Sequence, residues 1–236
     1  IDEAFKIILE MPYLKIEYTK PAPKRLKITK KRSIINKLIA WERSKEYYDG
    51  KRINGYGGFK YDGRWKKILP KLIKRYNLKP GSKVLDIGCK KGFLLKDLKD
   101  LVPGLKIFGI EDHKYPIQNS MREVKQYLKY SNYYNLPFKK NYFDAVFAFH
   151  CIYRGNFGDT INTIKEITRV TKKNSYITLG AYYDKTGKEL FDQWGILSTS
   201  HQNIKDWRKI LKYINYTGDY SFTTPESLGL KKRINN

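Results

Sequence analysis

The chain has 236 residues and a formal net charge of +25, with 48 lysines and arginines against 23 aspartates and glutamates. Hydrophobic residues make up 41% and aromatics 15%, enough to bury a core, which excludes a disordered chain. No apolar run approaches the roughly 20 residues that cross a bilayer, the acidic start IDEAFKIILE lacks a signal peptide's basic character, and Cys89 and Cys151 lack metal-type spacing, so they read as reduced thiols of a cytoplasmic protein.

The charge has two readings. A field of this sign attracts nucleic acid, anionic headgroups or phosphorylated substrates; alternatively it reflects biased composition, since 37 of the 48 basic residues are lysine, the less specific phosphate partner. The bias is strongest in residues 1–80, with 22 basic residues against 8 acidic. The first residue is Ile rather than Met, as expected where the true start is missing or the chain is part of a longer protein.

In chain order, TKPAPKRLKITKKRS (19–33) holds two prolines and seven basic residues without an acid, and predicts an extended, solvated linker. Ser33 then precedes Ile34, Ile35, Leu38, Ile39 and Trp41 near helical spacing, predicting a helix over about 34–48. The glycine- and aromatic-rich stretch 49–61 is a loop that either closes over a ligand or anchors the front helices through its aromatics. A helix over about 62–76 follows, with Trp65, Ile68, Leu69, Leu72 and Ile73 on one side and a kink at Pro70. From residue 79 strands alternate with helices, the pattern of a doubly wound, mostly parallel α/β sheet. Strands are expected at 83–87, 106–110, 129–133, 143–149, 175–182 and 218–222, and helices at 92–100, 114–127, 158–170 and 201–214. The chain thus divides into a basic N-terminal extension, 1–78, and an α/β domain, 79–236.

The chemistry concentrates in KVLDIGCKKGFLL (83–95), where an apolar strand bearing Asp86 runs through Gly88 and Gly92 into a helix. Such a turn lies at the carboxyl end of the first strand, where α/β folds bind ligands, and its glycines let backbone approach closely. About 19 residues past Gly92, LKIFGIE ends a second strand in Glu111, placed to accept hydrogen bonds from ribose hydroxyls.

With SNYYNLPFKKNYFDAVFAF (131–149) the series resembles class I S-adenosylmethionine (SAM) dependent methyltransferases. VLDIGCKKG is similar to their first motif, FGIE to the acidic second motif, and NLPFKKNYFDAVFA to their LPF segment and following strand. SKEYYDGKRINGYGGFKYDGRW and NYTGDYSF further resemble the flanks of a bacterial group of such enzymes. The resemblance implies a Rossmann-like SAM-binding domain over 79–236. Its cofactor site would comprise Asp86, Gly88, Cys89, Lys90, Gly92, Glu111, Asn132, Tyr133 and His150. The Gly88–Gly92 turn would pass the methionine part, Glu111 would hold the ribose, and Asn132 and Tyr133 would flank the adenine. Lys90 departs from the small residue usual in the turn: pointing inward it crowds SAM or pairs with its carboxylate.

Methyl transfer needs alignment of the acceptor and, for a hydroxyl, removal of a proton. His150 and Tyr153 are the catalytic candidates, with Tyr182 and Tyr183 at another strand end. FHCIYRG carries neither the Asn/Asp-Pro-Pro-aromatic motif of exocyclic base amine methylation nor a Pro-Cys nucleophile. The expected function is therefore SAM-dependent methylation of oxygen or nitrogen on a small-molecule or glycan acceptor. The alternatives are an RNA methyltransferase and an inactive basic nucleic-acid-binding module that keeps the fold.

Overall fold

The computed structural model describes residues 22–231. From residue 22 the front segment holds α1 (Ala22–Lys31), α2 (Ile34–Trp41), α3 (Lys45–Tyr48) and, after a 3-10 turn over Arg64–Lys67, α4 (Leu69–Arg75). The core follows as β1 (Lys83–Ile87), α5 (Phe93–Leu101), β2 (Lys106–Glu111), α6 (Lys114–Gln118), β3 (Leu128–Tyr130), β4 (Phe143–Ala148), α7 (Phe157–Val170) and β5 (Thr171–Tyr182). It ends with α8 (Lys185–Trp194), β6 (Gln202–Asn203), α9 (Ile204–Tyr213) and β7 (Asp219–Thr223).

The strand order is β3-β2-β1-β4-β5-β6, with β7 beside β5, and every ladder is parallel. The doubly wound parallel sheet expected from the alternation is thus present, and its order reverses between β1 and β4, where ligands bind at the carboxyl edge. Alternation of side chains along the strands builds two cores. Leu85, Ile87, Val146, Ile177 and Leu179 face α7 and α9, meeting Ile164, Ile167, Trp207 and Leu211. Val84, Ala145, Phe147 and Tyr176 face α4 and α5, meeting Leu69, Leu72, Leu94, Leu95 and Leu98.

The expected linker over 19–33 needs correction where it is described: it is helical from Ala22 to Lys31. Arg25 and Thr29, one turn apart, are buried, and Leu26 packs on Phe191, Leu228 and Leu230; tertiary burial overrides the polar composition. Residues 19–21 lie outside the described residues. The expected helix 34–48 is two helices, because Arg43 adopts a left-handed φ of 45° and Ser44 starts the second. Residues Ile34, Ile35, Leu38 and Trp41 of α2 are all more than half exposed.

The expected helix 62–76 begins as a 3-10 turn and restarts at Leu69, with Pro70 in its first turn, where a missing N–H costs nothing. That expected over 114–127 ends at Gln118, before a 3-10 turn over Lys125–Tyr127. Helix α8 and strand β6 have no counterpart in the sequence reading. The front packs on the sheet domain: Ala40, Tyr47 and Tyr48 share a cluster with Ile196 and Leu197.

Candidate active site

β1 delivers the chain to the switch point, and the turn that follows is built on left-handed residues: Gly88 (φ 70°), Lys90 (φ 52°) and Gly92 (φ 79°). The amides of Gly88 and Cys89 donate to the Ile110 carbonyl at 2.8 and 3.1 Å, and the Lys90 amide donates to Glu111 Oε2 at 2.9 Å. The turn therefore wraps around the end of β2 and fixes its carboxylate. A Cβ on Gly88 would lie 2.4 Å from Cys151 Cβ, so glycine is required for the approach of the chain leaving β4.

Glu111 is fully buried. The Tyr133 hydroxyl lies 3.2 Å from Glu111 Oε1 and donates to Asp112 Oδ1 at 2.8 Å, while Asp112 also pairs with Arg43. Burial and the charge of Asp112 raise the Glu111 carboxyl above its usual range. Burial also lifts Asp86 to about 7, opposed by Lys90 and reinforced by Glu111. The folded protein thus holds the Asp86 proton more tightly than the unfolded chain. That stabilisation is complete below about pH 4 and is lost as pH rises through about 7. Asp86→Asn is expected to be more stable than the wild type at pH 8, by about 4 kcal/mol, with the gap roughly halved at pH 5 and closed only below about pH 4. Thermal melts at the two pH values check this; a gap that is equal at both removes the titration from the explanation.

Beside this buried cluster a cavity of about 340 Å³ opens at the carboxyl edge of the sheet. Among the expected site residues, Lys90, His150 and Tyr153 line it. Asp86, Gly88, Cys89, Gly92, Glu111, Asn132 and Tyr133 do not, and the Asn132 Oδ1 is buried without a hydrogen-bond partner among the described residues. The structure thus sorts the expected site into two compartments that meet at Lys90, whose amide holds Glu111 and whose residue lines the cavity.

His150 follows β4 with a left-handed φ of 54°. Its amide donates to Thr178 Oγ1 at 2.5 Å and its Nδ1 lies 3.0 Å from Thr223 Oγ1. Burial lowers its pKa to about 3, with Lys90 and Arg154 adding repulsion, so the ring is neutral at physiological pH. Tyr153 is buried and its carbonyl accepts the amides of Thr199 and Ser200. Burial opposes ionisation of Tyr56, yet Lys90 and Arg154 outweigh it and lower the phenol below its usual value. Tyr182 and Tyr183 do not line the cavity, and Tyr183 is exposed. The thiols are inert: burial raises Cys89 well above its usual value and Cys151 to about 12.

The loop over 49–61 is pinned from several sides. Lys91 Nζ bonds Asp49 at 2.7 Å and the Phe59 carbonyl at 3.2 Å, and Phe59 stacks on Phe93. Tyr56 packs between Tyr48 and Phe59 while lining the cavity.

Residues 85–179 match the Methyltransferase domain family (Methyltransf_11). Residues 85–179 are thus a class I SAM-dependent methyltransferase domain. It is 29% identical over 168 residues to cycloartenol-C-24-methyltransferase of Arabidopsis thaliana, covering 64% of this chain and 47% of that one. It is 28% identical over 131 residues to demethylmenaquinone methyltransferase of Staphylococcus saprophyticus, covering 53% and 54%. The chain thus spans about half the length of these curated relatives. The YcgJ protein of Bacillus subtilis shares the fold of the methyltransferase domain, with a TM-score of 0.51 at 16% identity over 62% of this chain and 66% of that one.

Arg32, Arg52, Arg154 and Trp194 also line the cavity beside the methyltransferase domain's switch point, and sequence reading had given none of them a role. The available signal was Arg154 itself, four residues past His150 in FHCIYRG. No helix among the described residues is long and apolar enough to cross a membrane. No metal-ligating cluster occurs among those residues.

Proposed function

We propose that the protein transfers a methyl group from SAM to an oxygen or nitrogen of a small-molecule or saccharide acceptor. The observation that carries this reading is the junction at Lys90, where the buried carboxylate cluster at the end of β2 meets a cavity large enough for a small acceptor. The residues present suit the cofactor. Glu111 accepts hydrogen bonds from the ribose, the buried and unpartnered Asn132 Oδ1 suits an adenine amine, and Lys90 suits the methionine carboxylate. Bound there, SAM supplies an electrophilic methyl on a sulfonium.

The chain's own task is then to align the acceptor in line with that methyl and exclude water. With its pKa near 3, His150 is a weak proton acceptor and serves by holding the acceptor through a hydrogen bond. Tyr56 also lines the cavity, and against its burial Lys90 and Arg154 hold its phenol below the usual value, so it is the candidate to take the proton of a hydroxyl acceptor. Incubation with methyl-labelled SAM and a fractionated cell extract tests the proposal. Label is expected in the small-molecule fraction; label confined to RNA contradicts the acceptor class.

A further inference from the structure

Seven cationic side chains line the cavity, and no aspartate or glutamate does. Arg64 of the lining pairs with Asp62, and outside the cavity Arg43, Arg75 and Arg169 each pair with a carboxylate. Arg32, Arg52 and Arg154 bond no carboxylate among the described residues. Arg32 donates to the carbonyls of Ile53 and Trp194, Arg52 to that of Gly55, and Arg154 to the Tyr56 hydroxyl at 3.4 Å, all uncharged acceptors. Arg154 Nη1 is buried and has no hydrogen-bond partner among the described residues.

The arrangement is built rather than incidental. The guanidinium carbons of Arg32 and Arg52 lie 4.6 and 5.3 Å from the centre of the Trp194 ring, so two cations share one aromatic platform. Burial lowers the pKa of Arg32 to about 10, with repulsion from Arg52 adding to it, and burial lowers that of Arg52. Both remain charged at neutral pH. Holding unpaired cations together in a partly desolvated cavity is costly unless an anion completes the set.

We propose that this cavity binds a small oxyanion, a carboxylate or phosphate group borne by the methyl acceptor, between Arg154 and the Arg32–Arg52 pair on Trp194. The proposal rests on the methyltransferase reading for the word acceptor, and on the cavity alone for the anion. The single carboxylate of SAM is met by Lys90 at the β1 turn, which leaves the three arginines for a second anion. They come from the front segment and from the chain after β4, outside the expected cofactor residues. Arginine also suits the task, since its planar fork grips carboxylate and phosphate through paired hydrogen bonds.

The test is calorimetric titration of the full chain with inorganic pyrophosphate and, separately, with citrate, each with and without saturating S-adenosylhomocysteine. Expected is one-to-one binding of at least one probe in the presence of S-adenosylhomocysteine; whichever binds more tightly identifies phosphate or carboxylate as the source. Arg154→Gln and Arg52→Gln are expected to weaken the probe by about ten- to a hundredfold, with less than threefold change for S-adenosylhomocysteine. Arg154→Lys, which keeps the charge and loses the fork, is expected to fall between. Unchanged S-adenosylhomocysteine affinity shows that each variant is folded.

Absence of binding by both probes overturns the proposal. So does loss of probe binding when S-adenosylhomocysteine is added, which would place the anion in the cofactor's own carboxylate site. If S-adenosylhomocysteine fails to bind while an arginine-dependent probe site persists, the methyltransferase reading falls and the anion site stands.

Discussion

Replacing Glu111 by alanine is expected to weaken S-adenosylhomocysteine binding by about a hundredfold, because two charge-assisted hydrogen bonds to a ribose are removed at roughly 1.5 kcal/mol or more each. Equilibrium titration of wild type and variant reads this directly. Glu111 is held for the role from two sides, by the Lys90 amide at 2.9 Å and by the Tyr133 hydroxyl at 3.2 Å. It therefore cannot swing away to relieve its burial. Its carboxyl is raised by that burial and by Asp112, so cofactor binding to its ionised form should tighten from pH 6 to pH 8. An affinity in the variant within threefold of wild type would move the ribose elsewhere.

The second large effect concerns the scaffold. Trp207 of α9 is fully buried against the sheet, and its indole Nε1 donates to the Gly180 carbonyl in β5 at 2.8 Å. Trp207→Ala leaves a cavity the size of an indole and an orphaned carbonyl, at an expected cost of about 3–5 kcal/mol. Denaturant unfolding checks it. A loss below 1 kcal/mol would mean that α9 contributes little to the fold. The consequence reaches the site, because β5 also carries Thr178, which receives the His150 amide at 2.5 Å. Trp207→Ala should therefore loosen the cavity wall even below the melting transition.

The sheet was legible because its strands carry local signals. Apolar runs such as VLDI and FDAVFA are bounded by glycine or polar turns, and β1, β2 and β4 lie within a residue of their expected bounds. Of the elements that escaped, α1 is decided by distant partners, whereas α8 had a local signal. Helix α1 reads as a charged linker until Leu26 meets Phe191 and Leu228. Helix α8 carries its own signal in Asp184, which accepts the Gly187 amide at 2.7 Å, with Phe191 and Trp194 one turn apart on one side. Strand β5 starts at Thr171 rather than 175 because the polar KKN stretch is extended by pairing with β4 across an irregular register.

The candidate site was half legible for the same reason. Glu111 and the Gly88–Gly92 turn sit in contiguous motifs. The arginine cluster does not: Arg32, Arg52 and Arg154 are far apart in sequence, and only the packing of α1 and the 49–61 loop against α8 gathers them. The excess of positive charge was visible, but its local concentration without counter-charge is a property of the cavity.

The measurement that bears most directly on the two-compartment site is a crystal structure of the full chain with S-adenosylhomocysteine. The expected result has the ribose on Glu111, the amino-acid carboxylate at Lys90 and the sulfur facing the cavity lined by His150 and Arg154. A ligand seated wholly among Arg32, Arg52 and Trp194, with Tyr133 still bonded to Glu111, would contradict the assignment of the cofactor to the end of β2.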